Sequence, residues 1–176
     1  MTRHILWLVL LVLVIPTQGR AQGGSAAKDF VEQMTELALG WRVDAVLTQI
    51  GAWAVHRDGT SDLGPQGWFY TFYSPGAKQW RLFQIGATGF VQKDVSSAPT
   101  LPIPEGYLDS NDAMAYAIRN GFSPQEENLM LLGATKAKNV PEAVYWTVGR
   151  ADQKTGPSSA KGYLLDPLTG KLLARN

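Results

Sequence analysis

The stretch Gly162-Tyr-Leu-Leu-Asp-Pro-Leu-Thr-Gly-Lys-Leu-Leu-Ala174 decides how this chain is read. Two short apolar runs flank Asp166, Pro167, Leu168, Thr169 and Gly170. Proline fixes φ at the second turn position and glycine supplies a positive φ at the close, so the chain must reverse there. The result is a β-hairpin, which is marginal alone and needs a sheet to sit on. Just upstream, Glu142-Ala-Val-Tyr-Trp-Thr-Val-Gly-Arg150 and Asn128-Leu-Met-Leu-Leu-Gly-Ala134 read as further strands, and residues 109–120 carry a helical pattern. The tail is a helix followed by a meander that ends in the Asp-x-x-Thr-Gly turn.

That order, with Ala143-Val-Tyr-Trp-Thr-Val148, a hydrophilic loop and then the closing hairpin, resembles a PepSY-type module over about the last third of the chain. The resemblance implies an exported protein that binds or restrains other proteins, peptidases among them, and it carries over no catalytic residue.

The chain opens on Met1-Thr-Arg-His, continues with the 11-residue apolar run Ile5–Ile15 and reaches Gly19-Arg-Ala21. A basic start, an apolar core and a small-x-small site predict a secretory signal peptide over 1–21, cleaved after Ala21. An uncleaved membrane anchor is the less favoured alternative, because a span needs about 20 apolar residues. With no cysteine, the chain has no thiol for lipid attachment, no disulfide and no thiolate metal site. Loss of Arg3 and Arg20, with no acid, takes the formal charge from +1 to −1 in the mature chain. Scattered charges at near-neutral balance give no electrostatic footprint for nucleic acid or an anionic membrane, so neither is expected as a partner.

Residues 22–27 are small and polar and predict a flexible mature N-terminus. Phe30, Val31, Met34, Leu37 and Ala38 then recur at helical spacing, with Ser25 as a candidate N-cap and Gly40 as a stop, predicting a helix over 26–39. Residues 45–55 are apolar on most sides and fit helix or strand. Gly51, the Asp58-Gly59 turn signal and the β-branched content favour a long bent strand. Trp68-Phe-Tyr-Thr-Phe-Tyr73 and Gln79-Trp-Arg-Leu-Phe-Gln-Ile85, joined by Ser74-Pro-Gly-Ala77, predict a hairpin. Pro99, Pro102 and Pro104 bar helix and central strand alike from 96–106.

The two halves echo each other. Leu47-Thr-Gln-Ile-Gly-Ala52 is matched by Leu129-Met-Leu-Leu-Gly-Ala134, and Phe69-Tyr-Thr-Phe72 by Tyr145-Trp-Thr-Val148. An internal duplication follows, with a first helix-plus-meander module at 22–95, a proline-rich linker at 96–106 and a second, PepSY-like module at 107–176. The expected fold class is α+β, two similar modules that each pack an N-terminal helix on an antiparallel meander.

Little in the sequence names a reaction. The mature chain has one histidine, His56, which reads as a surface residue near a turn, so a metal site is not expected. No nucleophile elbow, phosphate loop or dinucleotide fingerprint occurs, and no cofactor is expected. Asp109 and Asp112 sit where they cap a helix, Glu126 and Glu127 read as solvated loop acids, and Asp166 reads as an acceptor for its own turn. The aromatic strands remain, and their second face either packs or lines a groove; packing is favoured. In the groove version Trp68, Tyr70, Tyr73, Trp80, Tyr145 and Trp146 are the candidate binding surface. The functional expectation is an exported, non-catalytic binder of another exported protein or peptide, by strand addition beside 145–150 or 68–73. The alternative is a small-ligand-binding or enzymatic cone with an internal cavity.

Overall fold

The computed structural model describes residues 24–86, 89–137, 140–150 and 162–175. The expected signal peptide and the hydrophilic loop at 151–161 lie outside them. Among the described residues the protein is an α+β fold: one eight-stranded antiparallel sheet and two helices. In chain order the elements are α1 (Val31–Trp41), β1 (Val46–Val55), β2 (Phe69–Ser74), β3 (Gln79–Gly86), β4 (Gly89–Val95), α2 (Ser110–Arg119), β5 (Asn128–Ala137), β6 (Val140–Arg150), β7 (Gly162–Leu165) and β8 (Leu172–Arg175). The spatial order is β4-β3-β2-β1-β5-β6-β7-β8. Residues 46–55 are therefore strand, and they make the seam, because β1 pairs β5 through Ile50↔Leu132 and Gly51↔Leu131.

Strand periodicity divides the sheet into two faces. Along one rung, Phe83, Tyr70, Ile50, Leu132, Trp146 and Leu165 lie side by side on six consecutive strands. All six belong to the main core, with Phe83 at 2% exposure and the others at 0%. Met34 and Ala38 of α1 and Ala113, Met114 and Ala117 of α2 fill the same cluster. On the opposite face Gly51 lies beneath Phe69 and Leu131. A Cβ there would come within 2.6 and 2.8 Å of those side chains, so glycine is what lets them close over the backbone.

Helix α1 starts later and ends later than the sequence predicts. Phe30 occupies the N-cap without a side-chain bond, and the Arg42 N–H closes the far end on the Ala38 carbonyl. Ser25 does not cap the helix; its backbone pairs with Ser61 at 2.8 and 2.9 Å. Gly40 does not stop it, since Trp41 extends the buried stripe and carries the Arg81 guanidinium 4.9 Å above its ring. Helix α2 follows its signals closely. Asp109 accepts from the Ser110 N–H, and Gly121 leaves the helix at φ +93°.

The expectation of a flexible start at 22–27 is overturned for its described part. The Ala27 N–H donates to Ser110 Oγ at 2.9 Å and the Lys28 N–H to Asp109 at 3.1 Å. The Trp68 indole N–H donates to the Ser25 carbonyl at 2.7 Å and the Tyr70 hydroxyl to that of Ala27 at 2.9 Å. A short polar stretch is fixed here because its backbone groups satisfy buried donors and acceptors from distant parts of the chain.

Proline keeps 96–106 out of helix and strand, yet the segment is tied down as a strap. The Ile103 N–H donates to the Leu47 carbonyl at 2.9 Å, and the Pro99 carbonyl accepts from the Trp80 indole at 3.2 Å. The closing turn forms as its residues require. Asp166 Oδ1 accepts from the Leu168 and Thr169 N–H groups and the Thr169 hydroxyl, at 3.0, 2.8 and 2.8 Å. Gly170 takes φ +70° under the Tyr116 ring of α2, which leaves no room for a Cβ. No helix among the described residues is long and apolar enough to cross a membrane.

Candidate functional site

The six aromatic residues expected to form one binding surface do not. Trp68, Tyr70 and Trp146 point into the helix-covered core, where the Trp146 indole donates to the Leu108 carbonyl at 2.9 Å. Their polar atoms are all satisfied internally, and burial pushes the Tyr70 hydroxyl well above its ordinary pKa, so it stays protonated. These three are packing residues. Tyr145 lies on the opposite face at 6% exposure and donates its hydroxyl to the Pro141 carbonyl at 2.8 Å. Tyr73 and Trp80 are half-buried neighbours with ring centroids 5.0 Å apart, two strands and more removed from Tyr145. The second aromatic face does line a groove, of about 280 Å³, but its walls are Trp53, Phe69, Leu82, Leu129 and Leu131 with Gln49 and Gln84.

Pairing also corrects the expected docking edges. β2 is hydrogen-bonded to β1 on one side and to β3 over its whole length on the other, so 68–73 offers no edge. β6 is different. It runs for 11 residues, but β7 has four and pairs it only from Trp146 to Gly149. From Val140 to Tyr145 the β5 side is paired except at a bulge over Pro141 and Glu142, and the β7 side is not. Among the described residues no other backbone–backbone hydrogen bond replaces β7 along 141–145.

A groove of about 530 Å³ lies along that unpaired stretch. One wall is β6 itself, from Glu142 to Tyr145. The others are the strap, through Leu101, Pro102 and Pro104, and the closing turn, through Asp166, Pro167 and Leu173. The strap is positioned by the Ile103–Leu47 bond, and the turn by the Leu108 N–H, which donates to the Pro167 carbonyl at 2.7 Å. Asp166 is held below the ordinary carboxyl pKa. Burial alone would raise it, but the hydrogen bonds from Thr169 and Leu168 outweigh that. Glu142 is exposed and makes no ion pair among the described residues. The lining thus holds two carboxylates and no base, with unpaired main chain and apolar walls.

His56 stands elsewhere, in a cleft of about 380 Å³ with Asp62 and Glu127. Its Nε2 lies 3.4 Å from the Asp62 carboxylate, and both side chains are solvent-exposed. Among the described residues no three histidine, cysteine or acidic side chains stand together as a metal-binding group. Of the groove residues, only Tyr145 was singled out in advance as a contact. The signal for the rest was a mismatch of lengths, a long strand at 142–150 facing the four apolar-flanked residues 162–165. No family model matches the chain, and neither the curated proteins nor the solved structures give a match to it.

Proposed function

We propose that this is an exported, non-catalytic protein that binds another polypeptide by adding it as a strand to the exposed side of β6. The observation that carries the reading is the unpaired edge at 140–145 inside a groove of about 530 Å³. Backbone edges of this kind bind extended peptides through main-chain hydrogen bonds, and pockets for alternate side chains give selectivity. The proposal keeps the PepSY-like assignment of 107–176, in which α2 is followed by β5–β8 and the Asp166–Gly170 turn, and it keeps the export signal at 1–21.

It also keeps the duplication. Ile50 pairs Tyr70 and Gly51 pairs Phe69; their counterparts Leu132 and Gly133 pair Trp146 and Tyr145. The same offset exchanges Ile50 with Leu132, which face each other across the β1–β5 seam. Such registers are what two copies related by a local two-fold axis would give.

Amide hydrogen exchange tests the binding reading. In the unliganded protein, outward-facing amides of 142–145 should exchange much faster than those of 146–149, and a pool of extended peptides should slow them selectively. Equal protection of both stretches without peptide would mean that the edge is closed, and the reading would fall.

A second reading, a small-ligand or enzymatic domain, draws on the His56–Asp62 pair in its separate cleft. It is told apart by His56→Ala, which would abolish ligand binding there and leave exchange at 142–145 unchanged.

A further inference from the structure

The groove beside β6 has a charge as well as an edge. Glu142 stands exposed on its wall without an ion pair among the described residues, and Asp166 adds a second carboxylate. Lys171, in the closing turn, does not line the groove, and among the described residues no other base does. Around them the walls are aliphatic: Leu101 is 41% exposed and Leu173 39%, large apolar side chains left open to water on the two sides of the cleft. A carboxylate at the lip of an apolar groove is poorly solvated by its neighbours and favours a cation of complementary reach.

We infer that the occupant is an extended polypeptide segment with a lysine or arginine flanked at alternate positions by aliphatic residues. It lies where a longer β7 would have continued opposite 140–145. The basic group meets Glu142, and the residues two before and two after it, on the same side of the added strand, cover Leu101 and Leu173. This rests on the strand-addition reading and adds to it the chemistry of the partner.

The test uses two labelled heptapeptides that alternate valine and threonine, one with lysine and one with glutamate at the centre. Binding is measured by fluorescence anisotropy to the wild-type protein and to Glu142→Lys, at low and at physiological salt. Glu142 is exposed, so the variant should unfold at the same urea midpoint. The lysine peptide should bind the wild type about tenfold more tightly than the glutamate peptide at low salt, with the gap narrowing as salt rises. In the variant the order should reverse. Equal affinity of the two peptides, or an order that Glu142→Lys leaves unchanged, overturns the charge assignment while the peptides' protection of 142–145 amides keeps the strand reading alive. No binding of either peptide and no protection overturns both. Self-association of the wild type through this groove, undisturbed by the lysine peptide, would assign the site to a second copy of the chain and overturn the inference.

Discussion

The two halves of the sheet treat their second strand differently. In the first half β2 has six residues and β3 eight, and every residue of β2 has a partner on β3. In the second half β6 has eleven and β7 four, and the pairing covers only 146–149. Both halves place a large aromatic residue, Tyr70 or Trp146, at the same point of the core rung. The difference therefore lies outside the core. A short outer hairpin leaves the core rung intact and leaves the far end of the inner strand unpaired.

The strongest challenge to that equivalence is Trp146→Ala. The indole is fully buried and hydrogen-bonded to Leu108, so the substitution should cost about 3–5 kcal/mol in urea unfolding. A loss below about 1 kcal/mol would show that the rung is not continuous through β6. The paired glycines give a sharper and smaller contrast. Gly51→Ala should cost about 1–3 kcal/mol, because the new methyl meets Phe69 and Leu131 below 3 Å. At Gly133 the nearest atoms are 3.3–3.5 Å away and belong largely to the flexible Gln49 side chain, so Gly133→Ala should stay within about 0.5 kcal/mol. Equal costs at the two positions would contradict the asymmetry of the face opposite the helices.

The smallest expected effect is acid sensitivity at the closing turn. Asp166 has a lowered pKa in the folded chain, so its contribution is present above the unfolded value near 3.8 and is lost as pH falls through and below it. Asp166→Asn should therefore flatten the decline of unfolding free energy between about pH 4 and pH 2, and lower stability at pH 7 by about 1 kcal/mol. In the first half Asp44, just ahead of β1, is held low by the Ser74 hydroxyl and the Gly76 N–H, and Asp44→Asn should likewise flatten the acid decline. A pH profile unaltered by either change would mean that neither turn is clamped by its aspartate.

How much of this was legible depended on the range of the interaction. Hairpins, the α2 caps and the Asp166 turn are set by residues within a few positions of one another, and the chain places them where its turn chemistry demands. The ambiguity at 45–55 resolved to strand because β2 and β5 flank it, which no local pattern specifies. Ser25 misled for the same reason: its backbone is taken by Ser61, far along the chain. The aromatic candidates misled differently. Tyrosine and tryptophan at alternating positions look the same whether their polar atoms meet a ligand or a backbone carbonyl, and Trp68, Tyr70 and Trp146 meet carbonyls. The groove depends on where β7 ends and where the strap crosses, and both are tertiary facts.

The docked start of the chain bears on the order of events during biosynthesis. Ala27 and Lys28 find their partners Ser110 and Asp109 more than 80 residues downstream, while Ser25 finds Ser61 much sooner. Two N–H groups made early are thus among the last able to complete their bonds. The first helix and β1 to β4 can assemble with Ser25 and the Ala27 carbonyl already held by Ser61, Trp68 and Tyr70, and the Ala27 and Lys28 N–H groups then close on α2 like a latch, which ties the finished fold to arrival of its second half.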